Sequence, residues 1–162
     1  MRPCLRSRRG FTVVELGIVL TLGILIAAIC LPNLIQSRKH GNEASCIGAL
    51  KTICTSESVF REGDKEHDGN LDYGMLSELE RAGLVDELLG SGTKRGYAFR
   101  ASYSVITSEF LWFATAGPVL PTVTGDRYWA TNQAGVLFYT SGASIPHDPT
   151  ICALPNHGVV PS

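Results

Sequence analysis

From Phe11 to Ile35 the chain is apolar at nearly every position, and from Leu16 to Ser37 no side chain carries a charge. Leu16–Ile35 is 20 residues long. As a helix rising about 1.5 Å per residue it spans roughly 30 Å, the thickness of a bilayer's hydrocarbon core. Between Gly41 and Phe60 the pattern changes. Cys46, Ile47, Leu50, Ile53 and Cys54 recur at three- and four-residue steps, an amphipathic stripe, with Glu43, Lys51 and Glu57 read as lying mostly off it. The two stretches predict one helix from about Phe11 to Phe60, roughly 75 Å long, half of it apolar all round and half amphipathic. Pro32 removes one backbone hydrogen bond and predicts a kink there, and Gly17 and Gly23 are further weak points.

Beyond Phe60 comes a polar loop, Arg61 to Gly74. Met75, Leu76, Leu79, Ala82, Leu84, Val85, Leu88 and Leu89 then predict a short helix, or two broken at Gly83. After the turn Gly90-Ser91-Gly92 the period shortens to two. Tyr97–Val105, Phe110–Ala116, Arg127–Thr131 and Val136–Thr140 read as four strands, with Asn132 to Gly135 turning the last pair. Strands joined by short connections predict an antiparallel sheet, and the amphipathic half of the long helix is its natural cover. Pro146, Pro149, Pro155 and Pro161 predict an irregular surface tail.

Charge sharpens this division. Of 14 Lys and Arg, four (Arg2, Arg6, Arg8 and Arg9) fall in the first ten residues; the other 10 face 15 Asp and Glu, a balance of −5 for the rest of the chain. That balance excludes a strongly basic nucleic-acid binder. With Arg38 and Lys39 on the far side of the apolar run, the excess of arginine in front places the N-terminus in the cytoplasm and the C-terminal part outside. Ser7-Arg8-Arg9-Gly10-Phe11 matches a twin-arginine signal only in part, because Glu15 intrudes and no small-x-small cleavage site follows. Ile26–Cys30 fails as a lipoprotein box because Ile29 stands where a small residue is needed, and an ordinary cleaved signal has a shorter apolar core. Glu15 is the anomaly. A carboxylate within the bilayer costs on the order of 2.5–3.5 kcal/mol and is usually paired and functional.

No catalytic arrangement emerges. His40, His67, His147 and His157 are scattered; there is no phosphate loop, nucleophile elbow or Cys-x-x-Cys pair. The expectation is a protein that is not an enzyme and needs no cofactor, with calcium as the one ligand to weigh. Asp64, Glu66 and Asp68 alternate before Gly69 as in the start of a calcium loop, with Leu71 at the inward apolar place. Met75, however, stands at the twelfth position, where a bidentate Glu belongs. Of the five cysteines, Cys4 belongs to the leader and Cys30 to the apolar run. Cys46 and Cys54, eight residues apart on one helix, are about 12 Å apart by helical rise, beyond the roughly 7 Å limit for a bridge. An exported compartment favours disulfides, so Cys152 is expected to pair with Cys54, or else with Cys46.

Arg8-Arg9-Gly10-Phe11-Thr12-Val13-Val14-Glu15-Leu16, continued through the apolar helix to Leu31-Pro32-Asn33-Leu34-Ile35, resembles the class III signal of type IV pilins and type II secretion pseudopilins. Asn42-Glu43-Ala44-Ser45 with Leu50–Ile53 looks like the second half of a pilin helix. Gly96–Phe99, Gly125–Tyr128 and Asn132–Val136 are similar to segments of a bacterial pilin-like group. The resemblance implies an α+β fold: a pilin-like ladle whose long tether helix packs on a four-stranded antiparallel sheet. It divides the chain into a cleaved leader (1–10), a transmembrane and filament-core helix (11–36) and an exported globular domain (37–162). It implies cleavage between Gly10 and Phe11 by a prepilin peptidase, N-methylation of Phe11, and assembly through Glu15 and Pro32. Its partners would be further copies of the chain in a helical filament, the peptidase and an inner-membrane assembly platform, with no specific nucleic acid. The chain would begin as a single-pass inner-membrane protein, N-terminus in the cytoplasm, and end in a pilus at the cell surface or a periplasmic pseudopilus. A type II secretion pseudopilin and a non-polymerising, membrane-anchored periplasmic binding module are the alternatives.

Overall fold

The computed structural model describes residues 10–65, 69–104 and 110–145, and the backbone of 160–161. The chain divides into two compact units, Met1–Ser37 and Arg38–Ser162. Helix α1 (Val13–Glu62) begins in the first and continues into the second, running through Pro32 without interruption.

In the first unit α1 starts behind a capping box. The Thr12 hydroxyl accepts the Glu15 amide at 3.2 Å, and the Glu15 carboxylate accepts the Thr12 amide at 2.9 Å. Every described residue of this unit is exposed. The continuous apolar surface from Val13 to Ile35 finds no cover among the described residues.

In the second unit α1 buries Lys39, Glu43, Cys46, Ala49, Leu50, Ile53, Ser56, Glu57 and Phe60. The steps between Lys39, Glu43, Cys46, Leu50, Ile53, Glu57 and Phe60 alternate between four and three, which keeps these residues on one face. Glu43 and Glu57 therefore lie on the stripe, not off it as expected, while Lys51 is exposed. The helix ends where Asp64 turns left-handed at φ 40° and the Lys65 amide reaches back to the Phe60 carbonyl at 3.4 Å. Two short helices follow, α2 (Leu76–Arg81) and α3 (Glu87–Gly90). Gly83 separates them at φ 73°, with the Leu84 amide bonded to the Leu79 carbonyl.

The sheet is an antiparallel meander of six strands in chain order, where four were expected. The four expected strands are β2 (Tyr97–Tyr103), β3 (Trp112–Pro118), β4 (Arg127–Asn132) and β5 (Leu137–Ser141). Two-residue strands flank them: β1 (Thr93–Lys94), whose pairing with β2 closes the turn through Arg95 and Gly96, and β6 (Val160–Pro161), which pairs with β5. Part of the expected irregular tail is thus an edge strand, a place where proline is tolerated. Strand β3 also begins two residues later than its apolar run, leaving Phe110 exposed.

Alternation along the strands decides what each face holds. Tyr97, Phe99, Trp112, Ala114, Ala116, Trp129 and Leu137 pack with Leu50, Ile53, Phe60, Leu79 and Leu89 in one core. Each fully buried aliphatic side chain there contributes about 1.5–3 kcal/mol. A smaller cluster of Phe113, Ala130 and Ile145 belongs to a separate core. Trp112 and Trp129 are core residues, as the strand pattern predicts.

Candidate functional site

Two groups of polar side chains depart from the apolar pattern around them. The first is at the start of α1. Besides the amide of Thr12, the Glu15 carboxylate accepts the Thr12 hydroxyl at 2.8 Å, so one oxygen is held by two donors. Both residues, and Phe11 beside them, are exposed. Glu15 thus has a local partner that the apolar context alone did not reveal: it caps the helix. Further along, the Thr21 hydroxyl donates to the carbonyls of Gly17 at 2.7 Å and Ile18 at 3.0 Å. That bond hides its polarity from an apolar environment.

The second group was not foreseen. The β3–β4 loop clasps the first turns of α1 in the second unit. Lys39 Nζ donates to both carboxylate oxygens of Asp126, at 3.0 and 3.2 Å. The Glu43 carboxylate accepts the Asp126 amide at 3.1 Å and lies 3.7 Å from Arg127 Nη1. Asn42 Nδ2 donates to the Thr124 carbonyl at 2.9 Å. Lys39 and Glu43, one turn apart on one face, meet Asp126 and Arg127 in the same chain order, so a one-residue slip of the loop would set like charges together. Gly125 is required here. A Cβ would collide with the hydroxyl of Tyr97, which donates to the Arg127 carbonyl at 3.1 Å. Burial, with the Glu43 charge adding, pushes the Tyr97 hydroxyl pKa up and keeps it a donor at any physiological pH. A sequence signal existed: Lys39 and Glu43 continue the stripe of Cys46, Leu50 and Ile53 backwards by one turn each.

The remaining predicted residues are not brought together. Asp64 Oδ2 accepts the Gly69 amide at 3.2 Å and so closes its own loop; Glu66 and Asp68 lie outside the described residues. Among the described residues no three His, Cys, Asp or Glu side chains converge. Cys46 is 1% exposed within the core, and its thiol pKa is raised by burial and then by Glu43. Cys54 is half-buried, with its sulfur against the backbone turn at Gly135. Cys152 lies outside the described residues.

No protein-family model matches the chain, and no solved structure gives a significant match. Two characterised proteins do. The type IV wide pilus major component PilA4 of Thermus thermophilus is 27% identical over 114 residues, covering 68% of this chain and 82% of that protein. The type IV major pilin protein PilA of Myxococcus xanthus is 34% identical over 71 residues, covering 43% of this chain and 32% of that protein. The chain is thus similar to two type IV pilins. That relationship fits the long apolar-then-amphipathic helix and the antiparallel sheet packed on its second half.

Proposed function

We propose that the chain is a structural subunit of a type IV pilus-like filament, processed between Gly10 and Phe11 and assembled through its N-terminal helix. The observation that carries this reading is the uncovered surface of α1 from Val13 to Ile35, with a mean hydropathy of 2.6 over its best 18-residue stretch. A surface that long and apolar stays in lipid or is covered by copies of itself. Before assembly the helix spans the inner membrane with its N-terminus in the cytoplasm. A prepilin peptidase removes the leader and methylates Phe11, and a membrane platform feeds the subunit into the filament. Both relatives are named as major components of pili, which favours a pilus over a secretion pseudopilus or a solitary binding module.

The test is to shear filaments from cells and identify the subunit by intact mass. A mature chain beginning at Phe11 in the sheared filaments is expected; membrane-bound monomers alone would refute the assignment. Gly10→Leu puts a large side chain at the scissile bond and is expected to retain the leader and abolish filaments. A mass beginning at Phe11 in that variant would reject the cleavage site.

The exported unit is expected to hold a disulfide between Cys54 and Cys152. Both helix cysteines are free thiols in this structure; Cys46 is sealed in the core, whereas Cys54 is only half-buried. Closing a loop of nearly a hundred residues contributes about 4–5 kcal/mol on the chain-entropy model. Peptide mapping without reduction decides this: free thiols at both positions would reject the bridge.

A further inference from the structure

We propose that the open edge of β2 is a pairing surface for β2 of a second copy of this chain, the two strands joining antiparallel about a two-fold axis at Ala101. Hydrogen bonds fix which way the backbone points. The Ser104 amide bonds the Leu111 carbonyl on the β3 side at 2.9 Å, and the Phe99 amide bonds the Gly92 carbonyl on the β1 side at 2.7 Å. Strand alternation then turns the amide and carbonyl of Ala101 away from β3. On that side β1 pairs only with Tyr97 and Ala98, so it ends before Ala101 is reached. Among the described residues nothing bonds the Ala101 amide or carbonyl. Beside this edge lies a groove of about 440 Å³, lined by Met75, Ser77, Gly90, Gly92 and Ala101.

The chemistry of the edge names its occupant. A backbone donor and acceptor facing outward from one strand residue are matched by another extended backbone. The edge is also its own complement. In an antiparallel pair centred on Ala101, each Ala101 amide meets the Ala101 carbonyl of the other copy. Arg100, which is exposed, then stands opposite Ser102 of the second copy and never opposite another Arg100, so no like charges face each other. Natural edges are kept apart by proline, bulges or inward charges. Phe99–Ser102 has no proline, pairs with β3 without a bulge, and carries its one charge, Arg100, where self-pairing does not repeat it. Met75, 46% exposed on the wall of the groove, is apolar surface that a second copy would cover. Because β1 closes the rest of the edge, the pairing is limited to Phe99–Tyr103. A two-fold contact of this kind closes on itself and joins two copies. The inference uses the second unit alone and is independent of the reading of the first.

The test uses the full chain in detergent and has two readouts. Hydrogen exchange at the Ala101 amide is followed as protein concentration is raised, and is expected to slow by at least about tenfold. Association through the apolar helix alone would leave that amide unchanged. Register is read by mixing Arg100→Cys and Ser102→Cys copies, oxidising them and mapping the bridges by mass, which separates them from those of the native cysteines. Opposed positions have Cα atoms about 4.5 Å apart, within reach of a disulfide, whereas position 100 lies roughly 8 Å from position 100 of the other copy. A 100–102 bridge from the mixture is expected, with no 100–100 bridge from Arg100→Cys alone. Ala101→Pro removes the donor at an edge position where proline is tolerated, and is expected to abolish the 100–102 bridge when added to both variants. Exchange at Ala101 that does not change with concentration overturns the proposal. So does protection without the 100–102 bridge, or a 100–100 bridge that forms as readily.

Discussion

Glu15→Gln subunits are expected to insert and be cleaved normally, yet to give at least roughly tenfold fewer filaments. On the proposed processing, cleavage before Phe11 would create an amino group at the same apolar level as Glu15, and methylation would leave it able to carry charge. A subunit entering a filament brings this cation into a low-dielectric bundle of helices, where an unpaired charge is destabilising by several kcal/mol. A carboxylate of a neighbouring copy at that depth would supply the partner. Two such charges about 4 Å apart attract by about 4 kcal/mol at an effective dielectric of 20, and each 1.4 kcal/mol is about tenfold in an equilibrium constant. The structure supplies a competing role, because Glu15 closes a capping box with Thr12. The substitutions separate the two. Glutamine serves a capping box as well as glutamate does, so Glu15→Gln keeps the cap and loses the charge. Thr12→Ala does the reverse, at about 0.5–2 kcal/mol of helix stability. Docking by charge predicts that Glu15→Gln fails and Thr12→Ala still assembles; capping alone predicts that Glu15→Gln assembles normally. Filaments counted by electron microscopy, with cleavage confirmed by mass, decide between them.

The pattern of apolar positions was enough to find α1, both short helices, the four long strands and the face of the sheet that meets the helix. It worked because each of those elements buries one face and exposes another. It failed where polar groups take core positions. Glu43 and Glu57 are expected mostly off the apolar stripe, yet both continue the four-three spacing of the buried face. The partners that make Glu43 tolerable, the Asp126 amide and Arg127, lie more than eighty residues away, and no local rule places them there. Edge strands of two residues, such as Thr93–Lys94 and Val160–Pro161, are too short to carry a period. Their pairing is set by the neighbouring strand. At the N-terminus the order was reversed. Resemblance carries the processing reading and electrostatics the docking reading of Glu15, whereas the Thr12–Glu15 cap is a local Thr-x-x-Glu pattern legible in the sequence itself.

Glu57 is expected to make the second unit less stable as pH rises, and Glu57→Gln to remove that dependence. Its side chain is fully buried, with one carboxylate oxygen accepting the Gly74 amide at 3.1 Å. The other finds no hydrogen-bond partner among the described residues. Burial pushes its pKa up from 4.5 to about 8, the Gly74 bond opposing and the nearby Glu78 charge adding to the rise. In the unfolded chain Glu57 ionises near its ordinary value. Between that value and about 8 the folded state therefore holds a proton that the unfolded state has released, and stability falls as pH rises through this window. At about 1.4 kcal/mol per unit the whole shift is worth on the order of 5 kcal/mol. Below the window the cost is absent, and above it the cost is complete. Glutamine keeps an acceptor for the Gly74 amide and cannot ionise, so any fixed penalty from its unpaired amide shifts its curve without tilting it. The full chain in detergent, unfolded thermally from pH 4 to 9, is expected to show the two curves diverging upward in pH in favour of Glu57→Gln. Parallel curves across that range would mean that Glu57 is ionised, or solvated, in the folded unit.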